Sequence, residues 1–146
     1  MSELYQHILV AVDGSDSADA AFEEAVAIAK KYHAMLYVLY VNEVTSRFLG
    51  DFNIITDKMQ RALEEVAENK VNQCLQRAVE LGLTDIKTFI KHGSPKTWIV
   101  DFDESKGPID LIVMGATGVS GIERVLAGST TTYVVNHADC SVLVVR

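Results

Sequence analysis

His7-Ile8-Leu9-Val10-Ala11-Val12, halted by Asp13-Gly14-Ser15, is the stretch that decides the architecture. A strand with one wet face alternates apolar and polar residues. An unbroken β-branched and apolar run belongs instead to a strand buried on both faces, as in a parallel sheet. Just beyond the turn, Asp16 or Ser17 is expected to cap a helix, because a short oxygen-bearing side chain accepts from an otherwise orphan N–H. Ala18, Ala21, Phe22, Ala25, Ile28, Ala29 and Tyr32 follow at helical spacing and give that helix an apolar stripe toward the sheet. Lys30 and Lys31 lie near its C-terminus, where cations suit the helix dipole.

The same alternation continues along the chain. Met35 to Val41 reads as a second buried strand, followed by a loop, roughly Asn42 to Thr56, long enough to be a lid or an interface segment. Asp57 begins a long helix with Met59, Leu63, Ala67, Val71, Cys74, Ala78 and Leu81 on one face, and Gly82 stops it at C′. Glu64, Glu65 and Glu68 are its solvated side. A third strand spans Asp85 to Lys91, and Ser94-Pro95 opens a third helix with Trp98, Ile99 and Phe102 as its apolar face. Ile109 to Met114 forms a fourth strand ending at Gly115, a last helix runs from Ser129 to Asn136, and Ser141 to Val145 is the fifth strand. Strands alternating with helices imply right-handed crossovers. The expected fold is α/β, a doubly wound, mostly parallel sheet with helices on both faces, in a single domain over residues 1–146.

Composition narrows the function classes. With 49% hydrophobic and 23% charged residues in 146, the chain can bury a core without disulfides or a structural metal. A formal net charge of −7 disfavours nucleic acid as a main partner, since phosphate neutralisation supplies most of that affinity. It also means that an anionic ligand must be held by local groups. Cys74 and Cys140 have no CxxC spacing and read as small apolar residues of a reducing compartment. His7, His33, His92 and His137 show no ligand spacing and read as structural or surface residues. The first apolar run, Ile8 to Val12, is too short for a signal peptide, and Met35 to Val41 falls far below the roughly 20 residues that span a bilayer. The expectation is a soluble, cytoplasmic protein with no membrane partner.

The chemistry concentrates in Gly115-Ala116-Thr117-Gly118-Val119-Ser120-Gly121 and, after Ile122 to Ala127, in Gly128-Ser129-Thr130-Thr131. Gly115 directly follows a buried strand, which puts it at the carboxyl edge of the sheet, where open α/β sheets bind ligands. Glycines let backbone N–H groups approach phosphate oxygens, and Gly128-Ser129-Thr130-Thr131 presents a helix N-terminus with three hydroxyls. Together these make an anion cradle without a lysine. Neither a GxxxxGK[ST] loop nor the GxGxxG dinucleotide fingerprint is present. The competing reading is plainer: the glycines turn the chain tightly, Asp13 caps a helix or closes a turn, and Ser129, Thr130 and Thr131 are an N-cap cluster. Arg124 reads as a solvated charge.

The spacing Gly115, two residues, Gly118, nine residues, Gly128-Ser129 resembles the nucleotide loop of the universal stress protein family, in its ATP-binding branch. The likeness covers almost the whole chain. Ile8 to Ser15 resembles the family's first strand and turn, Asp110 to Gly115 its fourth strand, and Ser141 to Val145 its last. The chain departs from the family at Ser141, where proline is usual, and in the additional Gly121. The resemblance implies a strand order of 3-2-1-4-5, Rossmann-like, with the reversal between the strands that end at Asp13 and Gly115. It implies that Asp13, with the backbone of Ala11 and Val12, lines the adenine and ribose side, and that Val41 meets the adenine edge through its backbone. Met114 and Gly115 are then expected to border the ribose, and Gly118, Gly128, Ser129, Thr130 and Thr131 to hold the phosphates.

A triphosphate with no lysine needs more than a helix terminus, which offsets about 0.3–1 kcal/mol per charge at exposed sites. A divalent cation, Mg²⁺, is therefore expected to bridge the phosphates near Ser129 or a neighbouring hydroxyl. No arginine finger or paired carboxylates are evident, so a nucleotide-responsive stress protein with slow hydrolysis or autophosphorylation is favoured over a true ATPase or phosphotransferase. A nucleotide-free stress dimer and a flavodoxin-like electron carrier are the other classes that the layout allows. Val142 to Val145 is an apolar strand expected at a sheet edge, and the resemblance implies a symmetric homodimer along it.

Overall fold

The computed structural model describes residues 4–43, 57–105, 107–117 and 128–146. Nine elements follow in order: β1 (His7–Val12), α1 (Asp16–Tyr32), β2 (Met35–Asn42), α2 (Asp57–Leu81), β3 (Ile86–His92), α3 (Pro95–Val100), β4 (Leu111–Gly115), α4 (Ser129–His137) and β5 (Ser141–Val145). All strand pairs are parallel, in the order β3-β2-β1-β4-β5. This is the doubly wound sheet that the unbroken apolar runs predict.

Side-chain alternation along β1, β2 and β4 divides the core into two layers. Ile8, Val10, Leu36 and Val38 pack with Ala21, Phe22, Ala25 and Ala29 of α1 and with Cys74 and Ala78 of α2. Leu9, Tyr37, Leu39, Ile112 and Met114 pack on the other face with Ile99 of α3 and Val134 of α4. Small residues on α1 let it lie close to the sheet. The opposite layer is filled by an aromatic trio in which Phe89 and Phe102 meet edge-on at 5.3 Å and Tyr37 lies 5.8 Å from Phe102.

Several boundaries differ from the sequence expectation, each for a local reason. Ser15, not Asp16 or Ser17, is the N-cap of α1, its Oγ accepting from the Ala18 N–H at 3.2 Å. Asp16 and Asp19 stand in the first turn, where the dipole favours them. β2 extends through Asn42, because β3 continues to pair with it as far as His92. Phe102 is buried beyond the end of α3 rather than on it. Gly82 does end α2: its φ is +84°, its N–H donates to the Val79 carbonyl and that of Leu83 to the Ala78 carbonyl. That is a Schellman closure, with Leu83 buried behind it. The remainder of the expected Asn42–Thr56 loop, beyond Glu43, lies outside the described residues.

Candidate functional site

β1 and β4 part before they end. Their pairing stops at Val10 opposite Val113, yet β1 runs on to Val12 and β4 to Gly115. Consecutive connections leave these two neighbours toward opposite faces of the sheet, so the gap is the switch point at which open α/β sheets accept ligands. On the far side of β1, pairing with β2 ends at Val12 opposite Tyr40, so Val41 and Asn42 rise above the end of β1. The result is a cavity of about 570 Å³ across the carboxyl edge, within the size range of small-molecule sites.

Ten of the eleven residues singled out from sequence line this one cavity: Ala11, Val12, Asp13, Val41, Met114, Gly115, Gly128, Ser129, Thr130 and Thr131. Gly118 lies outside the described residues, as do Gly121 and Arg124. The wall also includes residues that sequence reading did not select, among them Leu39, Tyr40, Asn42, Glu43, Leu63, Pro95, Ile99 and Thr117. Those from the end of β2 could have been found only by knowing how far β2 outruns β1. Leu63 and Ile99 were legible as apolar helix faces but not as walls.

Asp13 is held rather than free to swing. Its Oδ1 accepts from the Ser15 N–H at 2.9 Å and from the Ser15 hydroxyl at 2.6 Å. The side chain remains exposed, and Oδ2 takes no bond from any described residue. The turn-closing role and a ligand-facing role are thus compatible, one oxygen for each. Tyr40, half-buried in the same wall, has its hydroxyl pKa raised, first by burial and then by the Asp13 carboxylate, so it stays a neutral donor.

Gly115 has a packing reason to be glycine. A Cβ there would stand 2.4 Å from Ser17 Oγ, 2.7 Å from the Ser17 carbonyl carbon and 2.8 Å from the Ala18 nitrogen. The N-terminus of α1 therefore sits directly against the end of β4. The Ser17 hydroxyl donates to the Thr117 carbonyl, tying the chain after β4 to the same helix. From there the Ala116 N–H donates to the Val145 carbonyl, and the Gly128 N–H donates to the Ala116 carbonyl, each at 2.8 Å. These bonds fix the start of α4 beside the gap.

The α4 N-terminus is open where that of α1 is closed. Gly128 is its N-cap and supplies no side-chain hydrogen bond, so no cap side chain covers the first N–H groups. Thr131 departs from the expected hydroxyl trio. Buried at 3% exposure, it donates its hydroxyl to the Gly115 carbonyl at 2.9 Å, leaving Ser129 and Thr130 as the available hydroxyl donors. Asp13 and Glu43 are the carboxylates of the wall, and among the described residues no lysine or arginine lines it.

A family model described as the universal stress protein family matches residues 4–146. The chain belongs to the universal stress protein family. A putative universal stress protein of Staphylococcus aureus (strain USA300) is 36% identical over 142 residues, which is 97% of this chain and 84% of that one. Among solved structures, the universal stress protein UspA from Lactobacillus plantarum is 41% identical with a TM-score of 0.77, covering 97% of this chain and 98% of its own. A universal stress protein crystallised in complex with cAMP is 29% identical, with a TM-score of 0.73 and 99% coverage of both chains.

The other notable groups of this universal stress protein lie away from the crevice. Burial pushes the Cys74 thiol up to about 11, and burial followed by the Asp110 and Asp139 carboxylates raises Cys140, so neither is an activated thiolate. Among the described residues no cluster of three or more His, Cys, Asp or Glu could hold a metal ion, and no helix is long and apolar enough to cross a membrane.

Proposed function

We propose that this universal stress protein binds ATP in the crevice between β1 and β4 and acts as a nucleotide-responsive regulatory dimer in the cytoplasm. The observation that carries the reading is the uncapped α4 N-terminus opening into a switch-point cavity of about 570 Å³. Its N–H groups, with the Ser129 and Thr130 hydroxyls, suit phosphate oxygens. The apolar side chains Val41, Leu63 and Ile99 in the same wall suit a purine. Asp13, at the end of β1 between β4 and β2, offers Oδ2 as an acceptor for ribose hydroxyls. A relative in complex with cAMP supports the nucleotide class.

Phosphates in a wall that carries two carboxylates need a counter-charge. Mg²⁺ fits the donor set, since it takes phosphate oxygens and water with one or two protein oxygens, and the Ser129 hydroxyl has no partner among the described residues. The ion would neutralise the phosphates. The wall's own residues position the nucleotide but supply no cationic group to stabilise a transferring phosphoryl, which favours binding over turnover. For the dimer, among the described residues β5 pairs with β4 alone, and Val142, Leu143 and Val144 are half-buried on this edge strand. A second copy covering that edge resolves its exposed apolar surface and backbone groups.

A thermal-shift series tests the reading. Mg²⁺ with ATP at a hundredfold excess over Kd should stabilise the fold by about 2.7 kcal/mol, and chelating the metal should remove most of that gain. Unchanged melting across the series contradicts nucleotide binding. Val144→Asp should sediment as a monomer, and an intact dimer in that variant contradicts the β5 interface.

A further inference from the structure

We infer that the Asn42 side chain reads the nucleobase, donating a hydrogen bond from Nδ2 to a ring nitrogen of adenine; this rests on the nucleotide reading above. Asn42 is only 5% exposed, and its Nδ2 is shut from solvent with no hydrogen-bond partner among the described residues. A buried amide donor without a partner costs about 1–3 kcal/mol. Such a group persists in a wall when something outside the protein completes it.

Its position fixes which part of the ligand that is. Asn42 lies at the last paired position of β2, opposite His92, two residues beyond the end of the β1–β2 pairing. By alternation it shares the face of Tyr40, and both line the cavity. The α4 N-terminus lies at the β4 side. From β4 across β1 to β2 is two strand spacings, about 9–10 Å, which is the reach of a nucleoside from its 5′ oxygen to the far edge of its base. With phosphate at Ser129, the base therefore arrives at β2. Adenine presents unprotonated ring nitrogens as acceptors. The apolar side chains Val41, Leu63 and Ile99 suit its faces but cannot answer these nitrogens; with the Tyr40 hydroxyl beside the Asp13 carboxylate, Nδ2 is the donor left for one of them.

The experiment pairs Asn42→Leu, which keeps the shape and removes the donor, with ATP and its 1-, 3- and 7-deaza analogues in Mg²⁺. Nucleotide-free N42L should melt above the wild type, since the orphan donor is gone. It should bind ATP about tenfold more weakly. One deaza analogue should bind the wild type about tenfold more weakly than ATP, yet bind N42L as well as ATP does. Asn42→Asp, an acceptor in place of the donor, should lose ATP affinity as well. A nucleotide-free N42L less stable than the wild type would mean that Nδ2 already has a protein partner, and overturns the inference. So does a wild type that binds ATP but treats all three analogues alike, with the nucleotide reading left standing. A wild type that binds no ATP overturns both.

Discussion

The two edges of the sheet are built from the same strands and differ in how their polar groups are used. At the amino edge the accounts close. Asp110 Oδ2 accepts from the N–H groups of Gln6 and His7 at 2.8 and 2.9 Å, and its own N–H donates to the His7 carbonyl. The Met35 N–H reaches Gln6, the Leu36 N–H reaches Asp85, and Lys30 Nζ donates to the Leu81 carbonyl at the end of α2. At the carboxyl edge β1 and β4 separate, α4 starts without a side-chain cap, and Asn42 Nδ2 has no partner among the described residues. One edge ties the fold together; the other leaves donors without a protein partner among the described residues.

The largest effect should come from the tight joint between β4 and α1 at the open edge. Gly115→Ala places a methyl against the backbone of Ser17 and Ala18. Neither the end of β4 nor the α1 N-terminus can retreat, so we expect about 3 kcal/mol or more of destabilisation together with loss of nucleotide binding. Urea denaturation with a binding titration reads both, and a variant as stable as the wild type would mean that the joint is loose. Next comes the closed edge. Asp110→Ala strips two backbone N–H groups of a charged acceptor and should cost about 2 kcal/mol, while the nucleotide affinity of the folded protein stays unchanged. An affinity loss matching the stability loss would show that the two edges are not separable.

The smallest effect belongs to a contact on neither edge. Arg77 on α2 holds Glu23 on α1 through two hydrogen bonds of 2.8 Å, and both side chains are exposed. The hydrogen bond from Arg77 lowers the Glu23 pKa below its ordinary 4.5, against the opposing pull of burial. A depressed carboxylate stabilises the fold above its unfolded pKa and loses that contribution as pH falls through the lower folded value. Glu23→Gln should therefore lie slightly below the wild type in melting temperature at pH 7 and converge with it below pH 4.5. Salt should shrink the gap as well. A gap that persists in acid would assign the loss to packing.

Much of this architecture is legible in the sequence because burial on two faces leaves an unbroken apolar signature. Ile8 to Val12 and Leu111 to Met114 carry it, and the small residues of α1 announce a helix that lies close. The ends were harder. Asp13-Gly14-Ser15-Asp16-Ser17 offers four capping side chains in five positions, and only the bond from Ala18 to Ser15 chooses among them. Ten cavity residues were legible: Gly115, Gly128, Ser129, Thr130 and Thr131 from a strand end and a glycine pattern, and Ala11, Val12, Asp13, Val41 and Met114 through the family resemblance. Tyr40 and Asn42 were not, because their exposure to the cavity depends on β2 outrunning β1, a register fact. The roles of Gly115 and Asp110 were hidden for a different reason: Ser17 and Gln6, which give them meaning, are about a hundred residues away in the chain.

The most direct test is a calorimetric titration of nucleotide-stripped protein with ATP and Mg²⁺. The account predicts saturable binding near one nucleotide per chain at micromolar strength, about −8 kcal/mol, abolished by Gly115→Ala and retained by Asp110→Ala. No heat of binding in the wild type, or binding that survives Gly115→Ala unchanged, would contradict a nucleotide site at the open edge.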